Sequence, residues 1–257
     1  MEMVEVDITR EKYDAVLFDL DGVLTDTAKV HATCWKRLFD AFLKKRAEAK
    51  DFPFAPFDID TDYRLYVDGK PRYDGVRDFL KSRGVNLEEG SIEDPPGDQT
   101  IAALGNRKDE MVKAAIDEEG VKAYESSVTL VRRLHEVGIR CAVVSSSYNC
   151  ERALKAADIA DLFDERIDGQ VIDGLGLRGK PAPDAFLEAA RRLEVKPART
   201  VVVEDAISGV QAGRAGKFAL VIGVARKGDA AELGLSGAHV VVQDLEQLPL
   251  PSHRDGE

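Results

Sequence analysis

Five short, uninterrupted apolar runs constrain the fold of this chain more than any other feature. Ala15-Val16-Leu17-Phe18 is the first. Cys141 to Val144, Val201 to Val203 and Ala219 to Ile222 follow, with His239 to Val242 as a further candidate. A strand covered on one face alternates polar and apolar residues. These runs do not alternate, so both faces must be buried, as in a parallel sheet held between helices. Helical spacing fills the intervals: Ala182, Phe186, Ala189 and Leu193 share one face, and Val128, Val131 and Leu134 another. Strands alternating with helices predict an α/β fold with a Rossmann-like parallel sheet core.

The stretch from Thr27 to about Gly120 breaks that rhythm. Trp35, Leu38, Phe39 and Phe42 mark an amphipathic helix. Lys44 to Lys50 is highly charged, as a solvated helix end would be. Asp51 to Arg72 shows little periodicity. Helical patterns return at Gly75 to Ser82 and Lys108 to Glu119, with a loop around Pro95-Pro96-Gly97. An inserted helical cap domain fits this pattern, giving residues 28–120 to the cap and 1–27 plus 121–257 to the core. The tail from Pro249 is expected to be mobile.

In open parallel sheets, ligands bind at the carboxyl ends of the strands. Asp19 and Asp21 follow the first run, Ser145-Ser146-Ser147 the second, and Glu204-Asp205 the third. Lys180 stands in Gly179-Lys180-Pro181-Ala182-Pro183-Asp184, just before a helix. Each segment alone has an ordinary reading: a surface acidic pair, a turn, a helix start, a loop lysine. Together they place charged and hydroxyl groups from four segments on one rim. Asp19, Glu204 and Asp205 concentrate negative charge, which is costly without a cation among them. Oxygen donors of this kind suit Mg²⁺ shared with a phosphate. An aspartate can attack phosphorus as a nucleophile, and a carboxyl two residues on can move the proton. Lys180 can offset charge on nucleophile and phosphate together. Ser145 and the N–H groups after it can hold phosphate oxygens if they open a helix. Gly209, Gly213 and Gly216 sit inside a helical stretch and make no dinucleotide fingerprint, and Gly179-Lys180-Pro181 is not a Walker loop.

These four segments resemble the motifs of the haloacid dehalogenase superfamily of phosphotransferases, over nearly the whole chain. The continuation Thr25-Asp26-Thr27, with His31 and Trp35 on the next helix, is similar to its β-phosphoglucomutase-like branch. The resemblance implies that Asp19 is the nucleophile and a metal ligand. Asp21 is then the acid/base, with its carbonyl on the metal, and Glu204 and Asp205 complete the Mg²⁺ site. It further implies that Ser145, Ser146 and Lys180 hold the transferring phosphoryl group, with Asn149 nearby, and that Thr27 and His31 help position Asp21. Arg72, in Gly69-Lys70-Pro71-Arg72, would bind the non-transferring phosphate, and Lys108 would face the sugar. The chain departs from the family pattern in the extra Asp51 to Tyr66 segment, in Gly75 where serine is usual, and in Ala206 after the acidic pair.

The implied activity is conversion of β-glucose 1-phosphate to glucose 6-phosphate. A sugar-phosphate phosphatase is the alternative. A receiver-like phospho-switch is a third reading, which the long insertion and Asp21 disfavour. Net charge is −11 over 257 residues, which argues against nonspecific binding to nucleic acid or anionic membrane. Cys34, Cys141 and Cys150 are too few and too scattered for a disulfide framework or a zinc site. No apolar run approaches a membrane span. A cytoplasmic enzyme is expected, monomeric or weakly homo-oligomeric, with a small phosphorylated sugar as its partner.

Overall fold

The computed structural model describes residues 6–50, 54–226 and 228–251. Six parallel strands form one sheet: β1 (Ala15–Phe18), β2 (Arg140–Val144), β3 (Glu165–Ile167), β4 (Thr200–Glu204), β5 (Leu220–Val224) and β6 (Val240–Val242). Their order is β3-β2-β1-β4-β5-β6. β1 is central, with Phe18 in register with Val143 on one side and Val203 on the other. The apolar runs thus become strands for the reason anticipated. Val16, Phe18, Cys141, Val143, Val201 and Val203 face one helical layer, while Leu17, Ala142, Val144 and Val202 face the other. β3 was not visible as an apolar run because it is a three-residue edge strand with Glu165 and Arg166 only half-buried.

The strand order reverses at β1, so the crevice beyond its carboxyl end lies between connections leaving in opposite directions. Four segments close on that crevice. The core helices are α4 (Glu125–Glu136), α5 (Cys150–Ala156), α6 (Gly169–Gly174), α7 (Asp184–Arg192), α8 (Ile207–Ala215) and α9 (Ala230–Leu235), of which α5 follows β2 and α8 follows β4. Above it lies the inserted layer: α1 (Ala28–Lys50), a π-helical turn (Tyr63–Val67), α2 (Arg72–Ser82) and α3 (Ile101–Glu119). α3 begins seven residues before Lys108, so the helical pattern seen there was its second half.

The inserted layer has its own apolar core. Phe39 is fully buried and its ring centroid lies 5.1 Å from Trp35, 5.3 Å from Phe57 and 4.1 Å from Phe79. Gly75 is explained by this packing, since a Cβ there would meet Val67 Cγ1 at 3.2 Å. The turn that carries Val67 lies close on α2 because position 75 has no side chain. Of the extra segment, residues 51–53 lie outside the described residues. The chain enters and leaves the layer side by side, with Asp26 N–H donating to Lys122 O (3.0 Å) and Tyr124 N–H to Leu24 O (2.9 Å). Beyond β6 the described chain runs to Pro251, whose carbonyl accepts from Arg133 Nε at 2.6 Å. Residues 252–257, most of the tail expected to be mobile from Pro249, lie outside the described residues.

Phe39→Ala should destabilise the inserted layer by about 3–5 kcal/mol, the cost of deleting a buried aromatic ring. Denaturant unfolding monitored at Trp35 checks this. A loss under about 1 kcal/mol would show that the layer does not depend on the ring cluster.

Candidate active site

β1 ends at Phe18, and Asp19 is tied to the sheet by its N–H on Val203 O at 2.9 Å. Asp19 and Asp21 therefore lie on the turn beyond the strand, and not on one face of it. The turn is fixed internally. Asp21 N–H donates to Asp19 Oδ2 at 2.9 Å, and Gly22 N–H donates to Thr25 O at 2.8 Å. Gly22 has φ +91°, and a Cβ there would meet Asp205 Oδ2 at 2.1 Å. Only glycine both adopts this backbone and admits the carboxylate.

Lys180 is the centre of the cluster. Its side chain is fully buried, and Nζ donates to Asp19 Oδ1 (2.6 Å), Glu204 Oε1 (2.6 Å) and Val144 O (3.1 Å). Burial pulls its pKa down, but the charges of Asp19 and Glu204 outweigh this and hold it above the usual ammonium range. Glu204 also accepts from Ala206 N–H at 2.9 Å. A Cβ on Gly209 would stand 1.7 Å from Glu204 Oε1, so this glycine of α8 makes room for the carboxylate. Asp19, Glu204 and Asp205 each present an oxygen within 4.8 Å of the others. Burial pushes the Asp19 carboxyl well above the usual range, with Lys180 opposing and Glu204, Asp21 and Asp205 reinforcing the rise. Three buried hard-oxygen donors facing one ammonium fit a divalent cation such as Mg²⁺. The Asp21 side chain is not in this cluster. It accepts a short hydrogen bond from Thr27 Oγ1, and its Oδ1 lies 3.6 Å from His31 Nε2.

His31 Nδ1 faces Lys108 Nζ at 2.8 Å, and Lys108 lies 4.8 Å from the Trp35 ring centroid. Lys108 is buried, and desolvation lowers its pKa to about 8. An ammonium donor to Nδ1 leaves the Nε2 proton directed at Asp21. Arg72 is the first residue of α2, with its side chain only 12% exposed and Nη1 2.7 Å from Asp109 Oδ1. Neither cation is an ordinary surface charge. Ser145 is buried, and its Oγ accepts from Ser147 N–H at 3.1 Å. The Ser146 hydroxyl instead donates to Gly69 O of the inserted layer at 2.8 Å. Asn149 precedes α5 and donates to Asp109 Oδ1 at 2.8 Å. One narrow, partly open cavity of ≈ 50 Å³ is lined by Asp19, Asp21, His31, Arg72, Lys108, Ser145, Ser146, Asn149 and Asp205. Thr27 and Lys180 stand behind this wall through their bonds to Asp21 and Asp19.

Sequence reasoning passed over Tyr63, Asp68, Asp109 and Tyr148, which also line the cavity. Tyr63 hydrogen-bonds to Asp68, and burial pushes its phenol well above the usual range. The aperiodicity of Asp51 to Arg72 was the available signal for the turn that carries it.

Two outcomes follow from this geometry. Gly209→Ala should displace Glu204 and abolish Mg²⁺ binding in titration calorimetry; wild-type binding would remove Glu204 from the metal site. Lys108 is charged below about pH 8 and neutral above it, because its folded pKa lies below the ordinary lysine value. Affinity for phosphorylated ligands should therefore fall as pH rises through that value, and Lys108→Met should flatten the profile. An unchanged profile in the variant would assign the fall to another group.

Residues 13–217 match the family model described as haloacid dehalogenase-like hydrolase. The chain is 46% identical over 241 residues to the β-phosphoglucomutase of Mycobacterium tuberculosis, covering 93% of this chain and 92% of that protein. It is 31% identical over 237 residues to the β-phosphoglucomutase of Bacillus subtilis, covering 92% of each. The crystal structure of β-phosphoglucomutase from Clostridium difficile superposes with a TM-score of 0.71 at 24% identity, over 92% of this chain and 93% of that one. The chain belongs to the haloacid dehalogenase-like hydrolase family.

Proposed function

We propose that this protein is a Mg²⁺-dependent mutase that moves a phosphoryl group between positions of a sugar phosphate, with β-glucose 1-phosphate to glucose 6-phosphate as its reaction. The observation that carries this reading is the joint presence, in one cavity, of the Asp19 cluster and the Arg72 and Lys108 cations. Hydrolysis of a small phosphate ester needs only the first. A reaction that turns a bisphosphate around needs an anchor for the phosphate that is not transferred. The 46% identity to a β-phosphoglucomutase over 93% of the chain supports the same substrate class.

Asp19 attacks phosphorus and becomes an aspartyl phosphate, and the phosphorus–oxygen bond to the leaving sugar oxygen breaks. Asp21 gives that oxygen its proton and takes one from the accepting hydroxyl in the return step. Thr27 and His31 orient Asp21. Asp19, Glu204, Asp205 and the Asp21 carbonyl would hold Mg²⁺, which offsets charge on the phosphoryl group. Lys180, Ser145 and the Ser146 backbone N–H hold the transferring oxygens, and Asn149 lies beside them. Residues 28–120 act as a cap over the core of 1–27 and 121–257. A cavity of ≈ 50 Å³ is too small to admit a phosphorylated hexose, so the cap opens for exchange and closes to exclude water. Three buried, unpaired cysteines fit a reducing cytoplasm. No helix among the described residues is long and apolar enough to cross a membrane. We read the enzyme as a monomer or weak homo-oligomer.

Phosphorus NMR of β-glucose 1-phosphate with Mg²⁺ and a trace of β-glucose 1,6-bisphosphate tests the reading. Glucose 6-phosphate is the expected product. Inorganic phosphate as the main product would make the protein a phosphatase. Asp19→Asn should abolish turnover by either route, and substantial residual activity would refute the nucleophile. Asp21→Asn should suppress transfer while sugar phosphate binding persists; loss of binding would make its role structural.

A further inference from the structure

Arg72 is held in place by its surroundings. Its guanidinium carbon lies 4.0 Å from the Tyr148 ring centroid and 4.8 Å from that of Tyr73. Nη2 donates to Tyr73 Oη at 2.8 Å and to Asn106 Oδ1 at 3.3 Å. Nη1 lies 2.7 Å from Asp109 Oδ1, yet Nε and Nη1 are both buried without a well-directed hydrogen-bond acceptor. The contact between Arg72 and Asp109 is therefore one of charge and not of hydrogen bonding. Asp109 directs its oxygens elsewhere. Oδ1 accepts from Asn149 Nδ2 at 2.8 Å, and Oδ2 lies 2.7 Å from Lys113 Nζ. The first of these contacts joins α3 of the inserted layer to the loop after β2.

We propose that Asp109 is a positioning and specificity residue: it is a built-in counter-anion that the non-transferring phosphate must outcompete for Arg72, and it ties α3 to the core through Asn149. This rests on the reading of Arg72 as the anchor for that phosphate. Nε and Nη1 lie on different edges of the guanidinium, and a phosphate oxygen at Nη1 takes a donor that Asp109 leaves unused. A neutral sugar cannot do this against a carboxylate already beside the cation. A dianion brings more charge to Arg72 than Asp109 does, so it competes. Asp109 thus narrows the site to dianions and weakens their binding. Its bond to Asn149 favours closure when Arg72 holds no phosphate.

Asp109→Asn separates the two roles, because the amide oxygen still accepts from Asn149 while the charge is gone. Lys113 is half-exposed, so the change strands no buried charge there. The Mg²⁺-loaded full chain is assayed with β-glucose 1-phosphate and, separately, with p-nitrophenyl phosphate, which has no second phosphate. Asp109→Asn should lower KM for the sugar phosphate by about tenfold and leave KM for the aryl phosphate within about twofold. Asp109→Ala also cuts the tie to the core and should lower kcat for the sugar phosphate. An unchanged or raised sugar phosphate KM in Asp109→Asn overturns the proposal, as do equal shifts for both substrates. Sulfate titration by calorimetry separates this from failure of the substrate reading. If the wild type acts on no glucose phosphate but Asp109→Asn binds sulfate about tenfold more tightly, the sugar is wrong and the counter-anion stands. Equal sulfate affinities refute the counter-anion whatever the sugar.

Discussion

One buried ammonium group organises the site. Lys180 Nζ touches groups from the ends of three adjacent strands: Asp19 beyond β1, Val144 at the end of β2 and Glu204 at the end of β4. Without it, Asp19 and Glu204 would face each other as buried like charges. Without them, the ammonium would lose its proton in a site that excludes water. The group therefore works as a unit. It needs the parallel sheet, because only parallel neighbours bring three carboxyl ends to one edge. It also needs small residues at Gly22 and Gly209, since the carboxylates of Asp205 and Glu204 occupy the space that side chains would take.

The sheet was legible in the sequence because burial on both faces leaves a mark in local composition. β3 lacked that mark, being short and at the edge. The core of the site was legible for a related reason. Asp19, Ser145 and Glu204 each directly follow an apolar run, so topology alone assembles them. Asp109 had no such signal. It sits among Arg107, Lys108 and Glu110, where the local pattern reads as a solvated helix face. It is buried only because α3 lies over the loop after β2, a contact between segments forty residues apart. Arg72 and Lys108 were found through resemblance, and their burial came from tertiary packing that no local pattern encodes.

The inserted layer and the core meet through polar contacts at backbone carbonyls. Ser146 Oγ donates to Gly69 O and Ser208 Oγ to Asp68 O, each at 2.8–2.9 Å. Arg64, next to Tyr63 in the π-helical turn, pairs with Glu232 of the core at 2.8 Å. That pair is partly exposed and contributes little on its own. Farther from the site, Cys34 of α1 and Val112 and Ile116 of α3 pack into the apolar cluster of the core, while Phe39 and its neighbours form a separate cluster within the layer. The polar contacts of the 64–69 turn part at modest cost, as the edge of a lid over a reacting phosphate must, while the apolar contacts of α1 and α3 stay with the core.

The paired crossings at Leu24–Asp26 and Lys122–Tyr124 have a consequence for how such a protein diversifies. The two ends of the inserted layer leave the core within hydrogen-bonding distance of each other. A chain replacing the whole layer would therefore have to span almost no gap, and every strand pairing of the sheet would stay intact. The part that selects the substrate can be transplanted as one piece. The part that breaks and remakes the phosphorus–oxygen bond can then stay the same while new layers are tried above it.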